Sequence, residues 1–121
     1  MLLKNEKYTV FLGEDCKYHI IPIIYDSDTD KEFQYDLNEA VNRVIQGLEN
    51  DIEFFSHTIE TNIKLRKYGI LTVTQTKTNR IQHNKAVLHF YKNNSLSMIK
   101  KVLKLDELRE ELLSNHLNNV V

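Results

Sequence analysis

The chain is short of the residues that would tie it to an oxidising compartment. Cys16 is its one cysteine, so no internal disulfide can form and nothing demands secretion. One proline and three glycines leave no composition for a flexible linker. No apolar run approaches the ~18 to 20 residues needed to cross a bilayer. The first residues, Met-Leu-Leu-Lys-Asn-Glu-Lys, lack the charged lead and apolar core of a signal peptide. A cytoplasmic protein without a membrane partner is expected. The sequence also has no glycine-rich phosphate loop, no nucleophile elbow and no carboxylates spaced for acid–base work. Enzymatic function is the least supported class, and no cofactor is implied.

The most informative absence is local. Residues 61–105 contain neither Asp nor Glu, yet hold Lys64, Arg66, Lys67, Lys77, Arg80, Lys85, Lys92, Lys100, Lys101 and Lys104. Residues 1–60 carry five cations against thirteen carboxylates, and residues 106–121 carry Arg109 against four. The formal net charge of −1 therefore hides opposing blocks. Such asymmetry points to a polyanion or to an oppositely charged protein face as partner.

At 121 residues, 41% of them apolar and 27% charged, the chain is expected to form one globular domain. Residues 8–12 and 18–25 are rich in aromatic and β-branched side chains and flank Gly13-Glu14-Asp15-Cys16-Lys17. They predict a β-hairpin with a five-residue loop. The second run is apolar on both parities, which suits a strand covered on both faces, and Pro22 argues for an unpaired or bulged edge. A polar, acidic loop spans residues 26–33. Helical periodicity then begins, with Asp36 as the N-cap. Leu37, Val41, Val44, Ile45, Leu48, Ile52, Phe55, Ile59 and Ile63 share one apolar stripe at 100° per residue. The unbroken stripe favours a continuous helix, whereas Gly47 and Asn50-Asp51 favour a kink; continuity is the expectation. Phe54 and Leu65 lie off that stripe, and their sharper reading is a homodimer seam.

Gly69 predicts the end of this helix. Residues 70–76 and 81–92 alternate with period two, which predicts a second antiparallel hairpin. Its turn is Lys77-Thr78-Asn79-Arg80. Ser95 or Ser97 can cap a last helix, with a restart at Asp106 after a bend. The expected class is α+β in the order β-β-α-β-β-α, two hairpins forming an antiparallel sheet packed by the helices.

The open face of the second hairpin is the candidate nucleic-acid site. Lys77, Arg80, Lys85 and Lys92 would neutralise phosphates, and His83 with the threonines would bond phosphate oxygens. His89 and Tyr91 would stack on unpaired bases. Lys100, Lys101 and Lys104 would extend the positive surface. The bland alternative is a solvated sheet face, where Thr and Lys are ordinary occupants. Asp26-Ser27-Asp28-Thr29-Asp30 starts like a calcium loop. However, Lys31 stands where its glycine should be and Leu37 where its closing glutamate should be, so an acidic solvated turn is the better account. Glu53, His57 and Glu60 share a helix face but lie outside the apolar stripe, and no metal site is assigned. Lone Cys16 has no cation or histidine beside it in sequence to make a thiolate.

Two functions survive. One is a small regulatory protein that contacts nucleic acid or another polyanion through the basic segment. The other is a protein-interaction module, an inhibitor or adaptor of a mobile genetic element, that uses the acidic first half.

Overall fold

The computed structural model describes the backbone of residues 2–66 and 74–119, and the side chains of residues 3, 5–57 and 79–115. The protein is α+β. It folds as two compact units, one of residues 1–44 with 94–121 and one of residues 45–93.

The first unit holds a hairpin of β1 (Leu2–Leu12) and β2 (Tyr18–Tyr25). The strands pair antiparallel from Leu12 opposite Tyr18 to Lys7 opposite Ile23, and a bulge then separates Lys7 from the Leu2–Tyr25 pair. The five-residue connection closes as the sequence predicts. Gly13 N–H donates to the Lys17 carbonyl (2.9 Å) and Cys16 N–H to the Gly13 carbonyl (3.0 Å). Cys16 takes the left-handed backbone (φ 65°) that turns the chain. Tyr8 and Tyr35 exchange both backbone hydrogen bonds, at 2.7 and 2.8 Å, so Tyr35 occupies the far side of β1.

That exchange fixes the polarity of the sheet. In an antiparallel ladder, alternate residues direct both backbone groups to one neighbour. Tyr8 spends its pair on Tyr35, so Tyr8 and its partner Pro22 are not hydrogen-bonded to each other. Pro22, Ile20 and, by the same alternation, Ile24 thus direct their backbone groups away from β1. The proline with no N–H sits where β2 has no paired strand among the described residues. An unpaired edge is what Pro22 predicted. Ile20, Pro22, Ile23 and Ile24 are all buried, in keeping with a strand covered on both faces.

Beyond β2 the acidic segment makes two single 3₁₀ turns, Asp26–Asp28 and Lys31–Phe33. Gln34 Nε2 ties them together, donating to the carbonyls of Asp26 (3.0 Å) and Thr29 (2.8 Å). Helix α1 (Leu37–Arg66) is capped by Asp36, whose Oδ1 accepts from Glu39 N–H at 2.8 Å. It runs unbroken past Gly47 and Asn50-Asp51 for about 45 Å at 1.5 Å per residue. On the expected stripe, Val41, Val44 and Leu48 are buried, and Leu37, Ile45, Ile52 and Phe55 are half-buried. The side chains of Ile59 and Ile63 lie outside the described residues. Ala40, off the stripe, is fully buried.

The chain departs from expectation at the second hairpin. Helix α2 (Thr74–Asn93) replaces the predicted strand over 81–92 and the turn at 77–80; residues 70–73 lie outside the described range. Ile81, Asn84, Leu88 and Tyr91 recur at spacings of three, four and three. Of these Ile81, Asn84 and Tyr91 are buried and Leu88 is half-buried. The segment thus fits a helical period as well as an alternating one. The predicted tip also lacked the Asn-Gly or Gly that a tight hairpin turn prefers.

Helix α3 (Leu96–Val102) starts at Ser95, whose Oγ accepts from Met98 N–H at 3.1 Å. Lys104 takes φ 53° and turns the chain into α4 (Leu105–Asn119), which packs against β2. The restart falls at Leu105, one residue before Asp106. The first unit's core is Tyr8, Ile20, Ile23, Ile24, Tyr35, Ala40, Val41, Val44, Ile99 and Leu105; the second unit buries Leu48, Ile81 and Tyr91.

Candidate nucleic-acid interface

Turning 81–92 into a helix redistributes the predicted site. On a strand, His83, Lys85, His89 and Tyr91 would share one face; on a helix of 3.6 residues per turn they spread around the axis. Tyr91 points inward and is only 6% exposed, so it cannot stack on a base. Its burial pushes its phenol above the ordinary tyrosine value. Arg80 is committed within its own unit. Its guanidinium lies 4.3 Å from the Phe55 ring centroid and 3.9 Å from Asp51 Oδ2. The Lys77 side chain lies outside the described residues.

What α2 does present outward is Gln82, His83, Lys85, Ala86, His89, Lys92 and Asn93, all exposed. Lys85, His89 and Lys92 fall on one side at i, i+4, i+7. No carboxylate belongs to the helix, and among the described residues none lies within ion-pair distance of Lys85. Lys92 meets Glu49 at 3.1 Å, with both side chains about half exposed. A pair this wet is worth 0–1 kcal/mol, so phosphate can compete for Lys92. Asn93 Nδ2 donates to the His89 carbonyl (2.8 Å) and to His89 Nδ1 (3.0 Å). A neutral His89 therefore keeps its proton on Nε2, the nitrogen not used by Asn93.

In the other unit, Lys100 is held. Its Nζ donates to both Glu6 oxygens at 2.9 Å and lies 3.3 Å from Asp106 Oδ1. Tyr8 O–H donates to Glu6 Oε2 at 3.2 Å. The Lys100 hydrogen bond holds the Glu6 carboxyl below its ordinary range, and the same bond raises Lys100. Burial, then the Glu6 charge, raises Tyr8. Lys101 and Lys104 are exposed beside this network. Sequence reasoning missed it because its partners stand 94 residues apart.

Lys100→Ala leaves Glu6 and Asp106 without their cation. Both carboxylates are half or more exposed, so the expected loss is about 1 kcal/mol at neutral pH. The pH window follows from the two shifts. Glu6, held low, contributes above its ordinary value and loses that contribution as pH falls through its lowered one. Lys100, held high, contributes below its ordinary value and loses it as pH rises through its raised one. Urea unfolding across pH should show wild type and variant separated between those limits and converging in acid. Equal stabilities at neutral pH would show the network to be energetically idle.

The acidic loop keeps Asp26, Asp28, Asp30 and Glu32 exposed. Asp28 Oδ2 accepts from Tyr25 N–H (3.2 Å) and Asp26 Oδ1 from Gln34 Nε2 (3.2 Å). Two of the would-be calcium carboxylates are thus engaged in holding the turns. Among the described residues no three His, Cys, Asp or Glu side chains are grouped to hold a metal. At the hairpin tip, Asp15 receives His19 Nε2 at 3.0 and 3.1 Å, and this bond lowers its carboxyl. The His19 ring stacks on Phe11 at 5.1 Å. Cys16 is exposed, and its Sγ lies 3.9 Å from the Glu14 carbonyl. Phe54 is 64% exposed with its ring edge-on to Phe55 at 5.4 Å; the Leu65 side chain lies outside the described residues. No helix among the described residues is long and apolar enough to cross a membrane. In comparisons with protein-family models, curated proteins and solved structures, nothing matches this chain.

Proposed function

We propose that this is a small non-enzymatic binding protein that contacts a polyanion, nucleic acid foremost, through the outer face of α2. The observation that carries this reading is a 20-residue helix without a carboxylate, exposing Lys85, Lys92, His83, His89, Gln82 and Asn93. Lysine supplies the charge that displaces counterions from phosphate. The histidines and amides supply hydrogen bonds to phosphate oxygens or base edges. Of the two expected stacking groups, Tyr91 is buried and His89 stays exposed on this face. Lys101 and Lys104 are a separate exposed pair in the other unit, and Lys100 and Arg80 serve structure.

The test is a titration of the full chain with generic single- and double-stranded DNA and RNA. Binding at low salt that falls about tenfold or more by physiological salt supports the reading. No binding at low salt overturns it. That outcome would favour the second reading, an inhibitor or adaptor that meets a basic protein through the exposed carboxylates of the 26–32 loop. A homodimer seam through Phe54 and Leu65 is compatible with either function, and light scattering on Phe54→Glu checks it.

A further inference from the structure

A pocket of about 370 Å³ lies wholly within the first unit, where the α2 reading does not use it. Thr9 and Ile21 are cross-strand partners, so their side chains stand on one face of the hairpin, and Ile23 joins them by strand alternation. Leu112 of α4 forms a wall beside that face, and Asp28 and Thr29 of the turn after β2 close one end. Burial grades across the pocket. Ile23 is buried, Thr9, Ile21, Thr29 and Leu112 are half-buried, and Asp28 is exposed. The floor is therefore apolar, and the rim carries a carboxylate. No Lys, Arg or His lines the pocket. The same loop exposes Asp26, Asp30 and Glu32 against the single cation Lys31, so the potential at this end is negative. Asp28 Oδ2 accepts from Tyr25 N–H at 3.2 Å, which orients the carboxylate and leaves Oδ1 for a ligand.

We propose that this pocket binds a small amphipathic amine, a hydrocarbon body ending in one ammonium group. The volume sets the size: an apolar cavity of ~150 Å³ holds benzene, so this one takes about 10 to 15 non-hydrogen atoms. Water over an apolar floor finds few hydrogen bonds, and its displacement by hydrocarbon is favourable. The body seats on Ile21, Ile23 and Leu112, and the ammonium meets Asp28 Oδ1 with the Thr29 hydroxyl as a second acceptor. A cleft mostly apolar with a few convergent polar groups is the ordinary form of a small-molecule site. Because Asp28 is exposed, its charge contributes little affinity. The hydrocarbon supplies the binding, and the carboxylate chooses the sign of the headgroup.

The probes are 3-phenylpropylammonium, 3-phenylpropan-1-ol and 3-phenylpropanoate, alike in body and different in charge. Each is titrated into the full chain at low salt and followed by methyl chemical shifts. The amine is expected to bind with a dissociation constant on the order of a millimolar. It should bind about threefold tighter than the alcohol and about tenfold tighter than the acid. Shifts should gather at the methyls of Ile21, Ile23 and Leu112, while exposed Met98 and Val102 stay still. Asp28→Asn should bring the three affinities within about twofold of one another, with the alcohol and the circular dichroism unchanged. No shift at the pocket methyls, an acid that binds as well as the amine, or a charge preference that survives Asp28→Asn overturns the proposal. So do equal shifts at Met98 and Val102, which would report an adventitious apolar contact only. None of these outcomes depends on nucleic-acid binding by α2.

Discussion

Ile99→Ala is expected to cost about 3 kcal/mol and to lower the thermal midpoint by about 10 °C. Ile99 is fully buried and is the one buried residue of α3. A seven-residue helix has no stability of its own in water, so packing must hold it. Its Ser95 cap contributes about 1 kcal/mol at best, too little to replace the lost side chain. Chemical unfolding of the variant beside Val102→Ala separates burial from helix propensity. Val102 is 53% exposed in the same helix, and its truncation should stay within about 0.5 kcal/mol. Equal losses for the two would contradict the placement of Ile99 in the core.

The second large effect concerns binding. Lys85→Glu with Lys92→Glu replaces two outward cations on α2 by two anions. Each phosphate contact removed lowers the salt slope by about one, and the new carboxylates repel the ligand besides. Affinity for a generic oligonucleotide should fall by about a hundredfold at low salt, and the salt dependence should flatten. Both positions are exposed, so the circular dichroism should be unchanged. The cost in stability should stay near the 0–1 kcal/mol of the Lys92–Glu49 pair. A matched variant, Lys101→Glu with Lys104→Glu, reverses the same charge in the other unit. Were that variant to lose as much affinity, net charge rather than the α2 face would carry the binding.

Local signals in the sequence read through to the structure where one rule applied alone. The first hairpin and the Asp36 cap followed from such a rule, whereas the unpaired rather than bulged edge at Pro22, the Ser95 rather than Ser97 cap and the continuity of α1 over a kink at Gly47 were each one of two expected outcomes. The sequence did not reveal that β1 extends back to Leu2, because residues 4–7 are polar and their bulge breaks the alternation. The larger miss was α2. Its residues satisfy two periods at once, and polar Asn84 conceals the helical one by standing at a core position. That choice moved Tyr91 inward and took Arg80 to Phe55 and Asp51, so the candidate face kept Lys85, His89 and Lys92 and lost one of its two expected stacking groups. Lys100 illustrates a different limit: composition counted it as a free cation, while tertiary structure gave it Glu6 and Asp106. Charge blocks are visible in a sequence, but their pairing is set by the fold.

Amide chemical-shift mapping of the full chain with a short oligonucleotide at low salt reads both the helical state of 81–92 and the face that meets the ligand. Helical carbon shifts are expected over 81–92, with perturbations gathered at Gln82, His83, Lys85, His89, Lys92 and Asn93. Strand-like shifts over that segment, or perturbations absent from it, would rule out binding through the outer face of α2.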